Sequence, residues 1–243
     1  MTAIETSGLT KVYKDIKAVD SLDLTIEKGE IFALLGVNGA GKTTTIKMLS
    51  CLIRPTSGDA FLLGDSITSA PMKVKEKINI SPQETAVAPN LTVRENLELI
   101  CGIYGHGKQA SKITANETIE KLDLGEISSQ KAKTLSGGWQ RRLSIAMALI
   151  SQPEILFLDE PTLGLDVLAR RELWEIIKKL KGKVTIILTT HYLEEAENLS
   201  DHIGIMSRGR LAAAGTANDL IDLSGENTFE DAFVTLCQTG GIK

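Results

Sequence analysis

A nine-residue loop, Gly36-Val37-Asn38-Gly39-Ala40-Gly41-Lys42-Thr43-Thr44, brings three glycines, one lysine and two hydroxyls together. Up to Thr43 it fits the pattern G-x-x-x-x-G-K-[ST]. The glycines let backbone N–H groups converge on phosphate oxygens, and Lys42 supplies a point charge to the β- and γ-phosphates of a nucleoside triphosphate. The N-terminus of a following helix adds a favourable dipole of about 0.3–1 kcal/mol, and the Thr43 hydroxyl can ligate Mg²⁺. Gly36, Asn38, Gly39, Ala40, Gly41, Lys42, Thr43 and Thr44 are therefore candidate nucleotide contacts, with Thr43 also a metal ligand.

Two further clusters could act on the same phosphates. The apolar run Ile155-Leu156-Phe157-Leu158 ends on Asp159-Glu160. In an open parallel sheet ligands sit at the carboxyl ends of strands, so both acids are placed to face the nucleotide. Asp159 suits the second coordination shell of magnesium. Glu160, one residue beyond the strand, can reach a water in line with the γ-phosphate and is assigned as general base. The second cluster, Ser136-Gly137-Gly138, precedes the amphipathic stretch from Trp139 to Ile150. Ser136 is suited to cap that helix, and the glycines leave backbone amides open to an anion. Taken alone, Ser136-Gly137-Gly138 would usually be only a helix start, whereas capping of the next helix is the lesser reading of Asp159-Glu160 beside the phosphate loop.

These residues need a scaffold, and the hydrophobic pattern supplies one. Alternation over Ala18 to Ile26 predicts an antiparallel strand, and the continuous apolar run Ile31 to Leu35 predicts a buried one. Helical periodicity over Lys42 to Leu52 gives strand, loop and helix in the order a phosphate-binding loop requires. Apolar strands at Ile155 to Leu158 and Val184 to Leu188, each followed by a helix, predict a parallel sheet. Between them, residues 84–133 show helical spacing at Val93-Leu97-Ile100-Ile103 and again over Ile113 to Leu122. The fold class is thus α/β: a P-loop NTPase core with a mainly parallel sheet, an N-terminal antiparallel β-subdomain and a helical insertion. Residues 1–83 and 134–243 form the core, and the helix over 136–150 packs with the insertion.

The 243 residues, 42% hydrophobic and 24% charged, can bury roughly 70–75% of their unfolded surface in one domain. A net charge of -4 with scattered Lys and Arg argues against a nucleic-acid partner. Cys51, Cys101 and Cys237 are far apart and lack metal-ligand spacing, which points to a reducing cytosol. No basic leader with an apolar stretch opens the chain, and the longest apolar helical face, Leu143 to Ile150, is far below the ~20 residues a membrane span needs.

The phosphate loop, the Leu135-Ser136-Gly137-Gly138 signature and the Asp159-Glu160 strand end occur together and in one order. In this the chain strongly resembles the nucleotide-binding ATPase of ATP-binding-cassette (ABC) systems, over nearly its whole length. The resemblance implies ATP and Mg²⁺ as ligands and adds further residues. Gln83 looks like the loop glutamine that touches Mg²⁺ and the attacking water. His191 looks like the switch histidine at the γ-phosphate, Tyr13 like the aromatic stacked on adenine, and Asp166 like the loop residue that reports on the opposite site. It also implies a second ABC ATPase chain, identical or paralogous, whose signature completes each site, so that ATP drives dimerisation. Where the common signature continues with Gln, this chain has Trp139 and then Gln140, and altered packing or interface affinity is expected rather than lost activity.

The stretch from Gln83 to Gly107, with Arg94-Glu95-Asn96-Leu97 and Tyr104-Gly105, resembles the branch serving exporters of drugs, lipids, sodium or polysaccharides. The chain ends soon after Phe229-Glu230-Asp231-Ala232-Phe233, without the regulatory β-domain of many importers, which also favours export. Export would run through separate integral membrane permease subunits docked between Gln83 and the insertion, leaving the chain cytoplasmic and peripherally attached to the inner face of the membrane. The rival reading is a non-transport ABC ATPase acting on ribosomes or nucleic acid, which usually carries tandem cassettes or a long coiled coil. A module that holds ATP without turnover is disfavoured by Lys42, Asp159, Glu160 and His191. A GTPase is disfavoured because the chain has no Asn-Lys-x-Asp.

Overall fold

Residues 1–239 are described by the structure, a computed structural model, and among them two sheets carry the core. The alternating N-terminal segment pairs β1 (Thr2–Tyr13) antiparallel with β2 (Ile16–Glu27), from Thr2↔Glu27 to Tyr13↔Ile16. The apolar run becomes β3 (Ile31–Leu35), with all five residues buried, and the phosphate loop leads into α1 (Lys42–Leu49). This helix stops short of the predicted Leu52. Ser50 caps it and Cys51 turns to φ 56, the left-handed step that commonly closes a helix. β4 (Ser57–Leu62) and β5 (Asp65–Ser66) complete the antiparallel sheet in the order β2-β1-β4-β5.

α2 (Pro71–Lys77) leads to β6 (Ile78–Ser81). Two helices follow, α3 (Val93–Ile103), opened by a reciprocal Thr92–Glu95 capping box, and α4 (Lys108–Lys121). α5 (Gly137–Leu149) starts at Ser136, whose hydroxyl accepts from the Trp139 N–H as the sequence predicts. Then come two strand–helix units: β7 (Ile155–Asp159) with α6 (Val167–Lys178), and β8 (Thr185–Thr190) with α7 (Leu193–Leu199). β9 (His202–Ser207), β10 (Arg210–Gly215), α8 (Ala217–Ser224) and α9 (Phe229–Thr239) complete the described chain.

The second sheet has the order β10-β9-β3-β8-β7-β6, parallel throughout except for β10 against β9. Its central strands β3, β7 and β8 are buried at every residue, which is why Ile31 to Leu35, Ile155 to Leu158 and Ile186 to Leu188 read as unbroken apolar runs. Phe32, Leu34, Phe157 and Ile187 pack toward the antiparallel sheet and α1. Ile31, Ala33, Leu156, Leu158 and Leu188 pack toward α6, α7, α8 and α9. A third apolar cluster joins α3 and α4 to Leu143 and Ala146 of α5 and to Ile150, which caps that helix. The helix that opens with Ser136 thus packs on both the insertion and the core. The registers Leu35↔Thr190 and Asp159↔Thr189 align the carboxyl ends of β3, β7 and β8, and the polar groups that meet the phosphate loop grow from that edge.

Candidate nucleotide site

The phosphate loop is held from below. Gly36 N–H donates to Thr190 O at 3.3 Å, and a Cβ on Gly36 would lie 2.5 Å from Met206 O. Gly41, at φ 106, would place a Cβ 2.4 Å from Ala18 O. Neither position admits a side chain without moving backbone, so these glycines answer to packing as well as to phosphate approach. Lys42 follows, with its side chain only 6% exposed. Its Nζ donates to Gly36 O at 2.7 Å and forms an ion pair with Glu160 Oε1 at 3.3 Å.

The acidic strand end meets this loop. Asp159 Oδ1 accepts from Thr43 Oγ1 at 3.1 Å and from Thr189 Oγ1 at 2.6 Å. The Thr189 hydroxyl in turn accepts from the Glu160 N–H at 3.0 Å. Glu160 has φ 48, a left-handed conformation that costs a non-glycine residue about 1–3 kcal/mol and marks a site over-determined by its surroundings. That turn sends its carboxylate between Lys42 and His191, whose Nδ1 is 2.7 Å from Glu160 Oε2.

These groups line one cavity of about 440 Å³, with walls from Tyr13, Asn38 to Thr44, Gln83, Glu160 and His191. Tyr13, 45% exposed, stands at its rim. Ala18 and Leu163 also line it, and nothing in their residue type could have announced that. Gly36 and Asp159 sit just beneath the wall. Other predicted residues lie elsewhere. Ser136 and Gly137 are exposed at the start of α5, and with Gly138 they are outside this cavity. Asp166 is also outside, and its carboxylate caps α6 by accepting from Leu168 N–H at 3.0 Å and Ala169 N–H at 2.9 Å.

Thr43, Gln83 and Asp159 offer hard oxygen donors beside the loop. Among the described residues no group of three or more His, Cys, Asp or Glu side chains is placed to cage a metal. A few protein oxygens completed by phosphate and water suit Mg²⁺, which dehydrates reluctantly.

Two buried polar residues escaped the sequence reading. Arg141, 4% exposed, aims its guanidinium at backbone carbonyls around the site: Nε donates to Pro161 O at 2.9 Å and one terminal nitrogen to Asp159 O at 2.7 Å. Burial lowers its pKa to about 10 against the opposing pull of Asp159, Glu195 and Glu160, so it stays cationic at neutral pH. Glu195 is fully buried and accepts from Trp174 Nε1 at 3.2 Å, and burial raises its carboxyl above the usual range. Charged residues on helices normally read as solvated faces, which is why neither stood out.

The family model described as ABC transporter matches residues 19–163. The chain is 43% identical to the daunorubicin/doxorubicin resistance ATP-binding protein DrrA of Streptomyces peucetius, over 93% of this chain and 68% of that one. It is 41% identical to the linearmycin resistance ATP-binding protein LnrL of Bacillus subtilis, over 93% of this chain and 73% of that one. The probable multidrug ABC transporter ATP-binding protein YbhF of Escherichia coli is also 41% identical, but this chain spans only 42% of it. Among solved structures, an ATP-binding subunit of an ABC transporter superposes with a TM-score of 0.83 at 29% identity, covering 97% of this chain and 99% of that one. A dimeric ATP-binding cassette in a post-hydrolysis state, bound to ADP and Pi, gives 0.78 at 28% identity over 88% and 98%.

Proposed function

Because the chain belongs to the ABC transporter family, as one of its ATP-binding and hydrolysing subunits, we propose that it drives export through separate membrane permease subunits by closing on a second ATPase chain. The observation that carries this reading is that the candidate phosphate contacts fall into two separate places, one set lining the cavity and the signature lying outside it. Lys42, Gln83, Glu160 and His191 converge in it, whereas Ser136 and Gly137 stand exposed at the start of another element, free to meet a triphosphate held elsewhere. Two copies, or this chain and a paralogue, related by a two-fold axis then place each signature on the other's ATP. The resistance and multidrug names of the relatives support export.

In the proposed reaction Tyr13 stacks on the base, and the amides of Asn38 to Thr44 cradle the phosphates. Lys42 exchanges Glu160 for phosphate oxygens. Glu160, so released, takes the proton of the attacking water while His191 and Gln83 orient it. Thr43, Gln83 and Asp159 would hold Mg²⁺, which supplies charge neutralisation at the β- and γ-phosphates. The exposed Asp166 turn faces the partner. Residues 84–133 with α5 act as an arm that carries permease motion to the signature, and attachment to the membrane is peripheral, at its inner face.

Gly137 permits a clean test of the two-chain site. A Cβ there meets only Leu165 Cδ2 at 3.9 Å, and an acid in the first turn of a helix is favourable. Gly137→Asp is therefore expected to keep or raise the melting temperature and to preserve nucleotide binding to the isolated chain. ATP-dependent dimerisation, read by analytical ultracentrifugation in a Glu160→Gln background, should weaken by more than about tenfold through like-charge repulsion. Unchanged dimerisation would place the signature away from the partner's nucleotide. Coupling is tested by co-expressing the chain with its permease in vesicles, where vanadate-sensitive ATPase should respond to the permease and its substrate. Turnover indifferent to both would reject the export reading.

A further inference from the structure

The parallel ladder between β6 and β7 ends at the pair Ser81↔Leu158. Beyond it run the two segments that carry Gln83 and Glu160, and one side chain gathers their carbonyls. Arg141 donates to Asp159 O and Pro161 O on one side, and to Gln83 O at 3.3 Å and Pro82 O on the other. One turn further along α5, Ser144 Oγ is 2.9 Å from Ser81 Oγ. The helix that opens with Ser136 is thus tied twice to the catalytic edge of the sheet. Stability alone does not account for a cation in this position. Burying a guanidinium is costly, and a well-packed apolar side chain of similar volume often serves a core as well or better. A planar fork that can bind several acceptors at fixed angles does account for it.

We propose that Arg141 is a positioning residue that couples the two composite sites, holding Gln83 and Glu160 of its own chain in register with the signature that grips its partner's ATP. The proposal rests on the two-chain reading above. A shift of α5 on engaging the partner's triphosphate passes through the guanidinium to both loops, so hydrolysis in each site senses whether the other is filled. Lysine keeps the charge but has no fork to span both segments. Glutamine keeps hydrogen-bonding capacity but reaches fewer carbonyls.

The test uses the full chain carrying Arg141→Lys or Arg141→Gln. Melting temperature, the affinity of the monomeric chain for a fluorescent ATP analogue, and the kcat, KM and Hill coefficient for ATP are measured. Coupling predicts an affinity within about threefold of wild type, a kcat lower by about 10- to 100-fold from misplaced groups, and a Hill coefficient falling toward unity. Lysine should rescue neither kcat nor cooperativity. Wild-type kcat and cooperativity in either variant would overturn the proposal. So would a parallel fall of affinity, kcat and melting temperature in both, which is the signature of a purely structural residue. A wild-type chain that binds ATP but never dimerises would remove the two-chain reading itself, whereas a dimerising wild type with unaffected variants would remove only the role of Arg141.

Discussion

Glu160→Gln should still bind ATP, and bind it more tightly, while hydrolysing it about 10²–10⁴-fold more slowly, the range for losing a general base. The amide is isosteric, so the left-handed turn at Glu160 and its N–H bond to Thr189 Oγ1 are kept. What changes is charge. The carboxylate, 8% exposed, sits 3.3 Å from Lys42 Nζ, and a triphosphate must compete with it for the lysine. Removing that unit charge frees the lysine and relieves repulsion against the γ-phosphate, a gain of roughly threefold or more in affinity. Single-turnover hydrolysis and equilibrium binding separate the two effects. A variant that hydrolyses ATP at the normal rate would show that the base lies elsewhere.

Lys42→Ala should lose about 10²-fold or more in ATP affinity, because two charge-assisted hydrogen bonds to phosphate are each worth about 1.5–3 kcal/mol. It should also destabilise the nucleotide-free chain. Glu160 would lose its buried cation, and Gly36 O its 2.7 Å donor. Adding Glu160→Gln should restore part of the melting temperature but none of the affinity, since the amide removes the unpaired charge without replacing the phosphate contact. Calorimetry and thermal unfolding of the two single variants and the double variant check this. Additive losses in melting temperature would mean that Lys42 and Glu160 do not interact in the folded chain.

Much of this was readable before any coordinates. The phosphate loop, its flanking strand and helix, and the acidic end of β7 are local features, since backbone pattern and turn chemistry act over a few residues. The cap at Ser136 was legible for the same reason. Asp166 was read only through the family resemblance, while its capping of α6 depends on the turn taken by Pro161 to Leu165. Arg141 and Glu195 were invisible because a single charged residue on a helix carries no sign of which face the sheet will cover.

The sequence by itself determined a glycine-rich loop at Gly36 to Thr44 between a buried strand and a helix, and which carboxylates end a later apolar strand, because each element carries its own period and its own ends. Only the tertiary structure decided how they meet. Thr43 reaches Asp159 across 116 residues, and His191 reaches Glu160 across 31. Those meetings follow from the registers of β3, β7 and β8, set by packing on both faces of the sheet. The same packing leaves Ser136 and Gly137 outside the cavity while binding their helix to it through Arg141. On that separation rests the proposal that this nucleotide loop is one half of a paired site.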